Sequence, residues 1–155
     1  MINTGQELIG QTVPLKSGGN YQWGGGVGPN KGIVAYTAIC SHNQTYPTTA
    51  KSVINPFPSE GVIKCCAHKR RFDLTKGGVC NKKSEPLASI VLEWDEKTDQ
   101  LFATGLVGRD FFKQFFKRQN RKLRVTYGST RVAKEPVEKI QLMLLEEYTK
   151  KQNQC

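Results

Sequence analysis

Both histidines of this 155-residue chain stand just after a cysteine. Cys40-Ser41-His42 is a C-x-H and Cys65-Cys66-Ala67-His68 a C-x-x-H, with 22 residues (43–64) between the first histidine and the second pair. Two soft thiolates and two borderline imidazoles in ordered pairs make a metal-binding constellation, suited to an iron–sulfur centre or to zinc. The residue types alone do not choose between those two. No carboxylate or serine accompanies either histidine at a spacing useful for acid–base or nucleophilic catalysis.

The segments that must position these pairs are short and β-prone. Gly32 to Ile39 carries Ile33, Val34, Ala35, Tyr36, Thr37, Ala38 and Ile39, a β-branched run bounded by turn residues, which predicts a buried strand delivering Cys40 at its end. Val62 to Lys64 predicts a second strand that delivers Cys65 in the same way, so that two loops clasp a metal between them. Residues 45–60 hold Pro47, Pro56 and Pro58 among many Thr, Ser and Asn, a composition that cannot sustain a helix and predicts a long surface excursion.

The flanks continue the β pattern. Gln6 to Leu15, with Pro14, reads as an edge strand feeding a loop. Ser17-Gly18-Gly19-Asn20 and Trp23 to Asn30 are glycine-rich, but they lack the G-K-[ST] ending of a nucleotide cradle and read as turns. Arg71-Phe72-Asp73-Leu74 is a strand entering a turn at Gly77-Gly78, Ser84-Glu85-Pro86 is a loop, and Leu87–Asp95 with Leu101–Thr104 forms a hairpin. After about Gly108 the character changes. Asp110 is placed to cap a helix with Phe111, Phe112, Phe115 and Phe116 on one face, read as core packing, and Pro136 to open a second helix through Val137, Ile140, Leu144 and Tyr148.

Composition bounds the class. A hydrophobic fraction of 37% is ordinary for a globular protein, and no segment approaches the roughly 18 consecutive apolar residues of a spanning helix. Met1 to Gln6 lacks the basic and apolar stretches of an export signal, so the expected compartment is periplasmic if a leader or anchor belongs to a longer chain and cytoplasmic otherwise. The net charge of +10 favours acidic partners, and about half of the 23 basic residues follow Gly105. A solvated basic face or docking surface is expected there rather than a nucleic-acid site. Five cysteines is an odd count for a disulfide framework; beyond Cys40 and Cys65, the residues Cys66, Cys80 and Cys155 read as free thiols, with a Cys66–Cys80 pair as the alternative.

The order of the ligand types, C-x-H then C-x-x-H, resembles the Rieske iron–sulfur family. The likeness continues through Arg71-Phe72-Asp73-Leu74-Thr75-Lys76-Gly77-Gly78, through Glu85-Pro86-Leu87 where the family has its proline loop, and through Ile90–Glu93 and Leu101–Gly105 as the closing hairpin, over about 32–105 in all. It implies a mainly β fold, a Rieske-type antiparallel β-sandwich or small barrel with two cluster-binding loops. A Rieske domain over 1–108, its cluster-binding part about 32–88, would be followed by a basic helical extension over 109–155. It implies one [2Fe–2S] cluster per chain, with Cys40 and Cys65 on one iron and His42 and His68 on the other.

The chain departs from the respiratory members of that family. They carry an additional disulfide between the two loops at positions that here hold Thr45 and Ala67, and they present serine and tyrosine hydroxyls where this chain has Arg70 and Phe72. Fewer donors to the cluster predict a lower reduction potential than theirs.

The function implied is one-electron transfer without substrate chemistry of its own. The chain would be a small subunit or docking partner of a larger oxidoreductase, exchanging electrons with a redox protein such as a cytochrome. A soluble Rieske ferredoxin serving an oxygenase is the alternative within that class, and a zinc-stabilised module binding nucleic acid or protein is the alternative from another.

Overall fold

Runs of four to eight β-branched and aromatic residues, broken by glycine and proline, are too short for stable helices and pair as strands instead. The computed structural model describes residues 1–45, 53–57, 60–108 and 112–129. The chain divides into two units; among the described residues the first is built of strands and the second carries one helix.

Strands β1 (Ile2–Asn3), β4 (Ile33–Tyr36), β9 (Ser89–Asp95) and β10 (Gln100–Val107) form one antiparallel sheet in the order β1-β4-β9-β10. Strands β2 (Ile9–Pro14) and β3 (Asn20–Gly25) form a separate hairpin. A third antiparallel sheet runs β5 (Ile54–Phe57), β6 (Val62–Cys65), β7 (Arg70–Asp73), β8 (Val79–Cys80) in sequence order. The fold is mainly β, as expected, and the hairpin β9–β10 pairs Trp94 with Leu101 and Leu92 with Ala103. Ile90, Leu92 and Trp94 are partly buried whereas Val91 and Glu93 are exposed, the alternation that a half-covered sheet requires.

Two strands were hidden by their punctuation. Asn20–Gly25, expected as part of a loop, pairs with β2 and buries Trp23 to 3% exposure. Gly25 is there for contact: a Cβ on it would lie 2.3 Å from the Leu8 carbonyl oxygen. Likewise the 45–60 segment is not all excursion, because Ile54–Phe57 pairs with β6 and buries Val53, Ile54 and Asn55. Pro56 is tolerated because β5 is the edge strand of its sheet, where a missing N–H breaks no ladder on the open side.

The core joins Val13 and Trp23 of the hairpin to Val34 and Tyr36 of β4, Phe72 of β7, Leu74 and Leu87, and it contains Cys40 and Cys65. Asp73 caps the 3-10 turn Leu74–Lys76 by accepting from the Thr75 N–H, and Gly77 ends it at φ 64°. A side chain at Gly77 would meet Val13 at 2.6 Å and Trp23 at 3.2 Å, so the turn lies directly on the core. Tyr36 donates its hydroxyl to the Leu74 carbonyl at 2.9 Å and Tyr21 to that of Gly77 at 3.2 Å. Burial raises the pKa of both phenols, that of Tyr21 to about 12.

In the second unit, helix α1 spans Phe112–Tyr127 and exposes Lys117, Arg118, Arg121, Lys122 and Arg124. The expected cap Asp110, Phe111, the side chains of the remaining aromatic stripe and the second helix from Pro136 lie outside the described residues.

Candidate metal centre

β6 runs straight into Cys65, and the next four residues are the turn into β7, with Cys65 facing Arg70 across the ladder. The approach to Cys40 is less direct than the sequence implies. β4 stops at Tyr36, and Thr37 ends the ladder: its N–H donates to the Ala88 carbonyl at 3.0 Å, and its hydroxyl accepts the Ile39 N–H at 3.1 Å. A threonine hydroxyl that captures a backbone N–H two residues on favours a bend over an extended strand.

Both metal loops are then built to one plan. The Cys40 carbonyl accepts the N–H of Gln44 at 2.7 Å, and the Cys65 carbonyl accepts the N–H of Lys69 at 2.7 Å, each a single turn closed from residue i to residue i+4. Gln44 and Lys69 both sit in the left-handed region, at φ 53° and 52°, which reverses the chain after one turn. The histidine is the third residue of the first turn and the fourth of the second.

The two turns meet. Cys40 and Cys65 are both 0% exposed, and their sulfurs lie with a ring nitrogen of His68 inside a group spanning no more than 4.8 Å. His68 Nδ1 is 3.6 Å from Cys65 Sγ, and the His42 and His68 rings stand edge to face with centroids 4.8 Å apart. His68 is partly buried and His42 is exposed. The buried thiols share a proton: the hydrogen bond from Cys40 lowers the Cys65 pKa, and that bond together with burial raises the pKa of Cys40. Desolvation, then the charge of Arg70, lowers the pKa of His42. Of the four expected site residues, Cys40, Cys65 and His68 form the tight group, with the His42 ring against His68.

Other residues hold this arrangement and were not singled out from the sequence. Asn43 Nδ2 lies 3.3 Å from His68 Nε2, so the first turn touches the ring carried by the second. Ser41 donates its hydroxyl to the Glu85 carbonyl at 2.6 Å, and the Glu85 carboxylate accepts the backbone N–H groups of Lys16 and Ser17 at 3.0 Å each. Asn43 and Ser41 adjoin His42 in the chain, which was the available signal; Glu85 had none beyond its place beside Pro86. Phe72 is buried in the core, and Arg70 is partly buried. Cys80 is a free thiol whereas Cys66 is held in a disulfide, so the two do not pair and Cys66 is not the free thiol expected.

Residues 8–91, more than half of the chain, match the family model of the Rieske [2Fe-2S] domain. The chain belongs to the Rieske family. The cofactor of a Rieske domain is a [2Fe–2S] cluster, and the donor set fits one: two buried thiols, that of Cys65 with its pKa lowered, grouped with His68, whose ring lies against that of His42. Neither turn needs to unfold to present its donors, because the backbone hydrogen bonds that close it do not involve the side chains. Among the described residues, no helix of this Rieske protein is long and apolar enough to cross a membrane.

Proposed function

We propose that this Rieske protein is a one-electron carrier, with Cys40 and Cys65 as ligands to one iron and His42 and His68 as ligands to the other. The observation that carries the reading is the pairing of two like turns, which brings two fully buried cysteines and two adjacent imidazoles together while leaving His42 exposed. When bound, the cluster supplies a one-electron couple whose potential is raised by neutral imidazoles in place of two thiolates.

The residues of the chain do the rest. The core around Cys40 and Cys65 keeps water from the sulfurs, which favours a stable thiolate–iron bond over exchange. Asn43 orients the His68 ring from its Nε2 side. His42, on the solvent side, offers the short path by which an electron enters or leaves. The partners are redox proteins on the donor and acceptor sides, and the added segment with α1, beyond the matched residues, favours a small subunit or docking partner of a larger oxidoreductase.

The test is direct. The purified full-length protein is expected to be brown, to contain two irons and two acid-labile sulfides per chain, and to give a low-temperature electron paramagnetic signal after reduction by dithionite. Colourless protein containing zinc and giving no such signal would refute the reading. Cys40→Ser and Cys65→Ser are each expected to lose the iron, and recovery of a larger redox enzyme with the tagged protein from its natural host supports the subunit role.

A further inference from the structure

Beside His42 lies a groove of about 340 Å³ whose walls come from four separate stretches: Lys16 and Ser17 in the β2–β3 turn, Ser41 and His42, Arg70 at the start of β7, and Lys83 to Glu85. Three of these residues are cations. Lys16 and Lys83 are exposed and Arg70 is partly buried.

Elsewhere on the β unit Lys31 pairs with Glu7, Lys64 and Arg71 with Glu60, and Lys76 with Asp73, while Lys69, Lys82 and Lys97 make no ion pair among the described residues. Among the described residues Lys16, Arg70 and Lys83 make no ion pair. The one acid lining the groove, Glu85, is 5% exposed, and its carboxylate is turned onto the backbone N–H groups of Lys16 and Ser17. Three cations without an ion pair thus line one groove with the exposed imidazole, where their field is screened over a Debye length of about 8 Å at physiological salt.

We propose that this groove is the docking site for an acidic face of the electron-transfer partner, which it draws onto His42. The proposal rests on the electron-carrier reading above. A partner carboxylate seated between Lys16, Arg70 and Lys83 pairs with cations that make no ion pair among the described residues, and Ser17 lines the same wall. Electrostatic focusing of this kind acts on the association rate and on the choice of partner.

Two measurements test it. In the first, protein reduced with dithionite is mixed in a stopped-flow instrument with anionic ferricyanide or cationic tris(phenanthroline)cobalt(III); one electron leaves each reduced chain and reduces one oxidant. In the second, hexacyanocobaltate(III), a redox-inert trianion shaped like ferricyanide, is titrated calorimetrically into the oxidised protein. The ferricyanide rate is expected to fall with added salt, and the triple variant Lys16→Glu, Arg70→Glu, Lys83→Glu to lower it about 10-fold or more. The same variant should lose hexacyanocobaltate binding and react faster with the cobalt complex.

A control triple, Lys31→Glu, Lys76→Glu, Lys97→Glu, changes the net charge equally at lysines outside the groove and should have a much smaller effect. Equal effects of the two triples, or none from the groove triple, overturn the proposal; the single variant Lys83→Glu, at an exposed position, reports the same trend should the triple not fold. Polyaspartate is expected to displace hexacyanocobaltate, and tighter displacement by an oligonucleotide of equal charge would overturn the assignment to a protein partner. Loss of the paramagnetic signal refutes the electron-carrier reading instead, and hexacyanocobaltate binding still reports on the groove.

Discussion

Replacing Glu85 by glutamine should loosen the β2–β3 turn from the metal centre, and the size of the effect follows from three hydrogen bonds. The Glu85 carboxylate, 5% exposed, accepts from the N–H groups of Lys16 and Ser17 at 3.0 Å each, while its own carbonyl accepts from Ser41 at 2.6 Å. Hydrogen bonds to a charged group contribute about 1.5–3 kcal/mol each, roughly twice a neutral pair. Glutamine keeps one acceptor oxygen without its charge and turns an NH2 group toward the other N–H, donor against donor. Losing one bond and weakening the second should therefore cost about 2–4 kcal/mol. The Ser41 bond, made by the backbone, survives.

Hydrogen–deuterium exchange of the intact protein reads this where it occurs. About 2 kcal/mol at the lower end corresponds to roughly 30-fold faster exchange of the Lys16 and Ser17 amides. The ladder β6–β7 on the other side of the centre should change far less. Ser41→Ala makes the complementary cut, removing the carbonyl bond and leaving the two amide bonds, so it should free the first metal turn and spare Lys16 and Ser17. Exchange at Lys16 and Ser17 within about threefold of the unaltered protein in Glu85→Gln would refute the assignment of these amides to the carboxylate.

Other outcomes follow from the same structure. Lys69 holds φ 52°, so Lys69→Val, β-branched, should destabilise by about 1–2 kcal/mol in thermal unfolding whereas Lys69→Gly should not; equal effects would refute the strain. Gly77→Ala combines φ 64° with a Cβ 2.6 Å from Val13 and should lose at least about 2 kcal/mol, against little effect for Gly24→Ala, where nothing lies within 4 Å and φ is not positive. Tyr21 and Tyr36 have folded pKa values above the ordinary 10.0, so their stabilising contribution is full below that pH and is lost as pH rises toward about 12. Alkaline unfolding should begin there and be blunted in Tyr21→Phe, and an unchanged profile would count against burial of the phenol. The reduction potential should lie below that of Rieske members with serine and tyrosine hydroxyls at the positions of Arg70 and Phe72; a redox titration at or above theirs would contradict it.

Much of the fold was legible because β-branched runs such as Ile33–Tyr36 and Val62–Cys65 have only one plausible pairing state between their turns. β3 was obscured because Gly24 and Gly25 interrupt the alternation of Tyr21 and Trp23, and Gly25 answers to backbone contact across the hairpin rather than to a turn. β5 was obscured by Pro56 and by buried Asn55, whose amide reaches Cys66 Sγ at 2.9 Å, a pairing that local composition does not encode. The groove was invisible for a different reason: Lys16, Arg70 and Lys83 are ordinary surface cations in sequence, and only the meeting of the β2–β3 turn with the metal loops makes them neighbours.

The different exposure of the two histidines has a local basis in their offset by one residue. With the same carbonyl closure and the same left-handed reversal in both turns, the fourth position directs His68 back over its own cysteine, 3.6 Å from the sulfur, whereas the third position leaves His42 facing outward. Like turns with unlike histidine positions thus give the centre a sheltered side and a solvent side. Asn43, occupying in the first turn the position that His68 holds in the second, reaches across to the His68 ring instead of carrying a ring of its own. The sheltered side is fixed by contacts between the turns, and the solvent side opens onto the cationic groove, so the spacing difference between C-x-H and C-x-x-H leaves His42 the more exposed imidazole beside that groove.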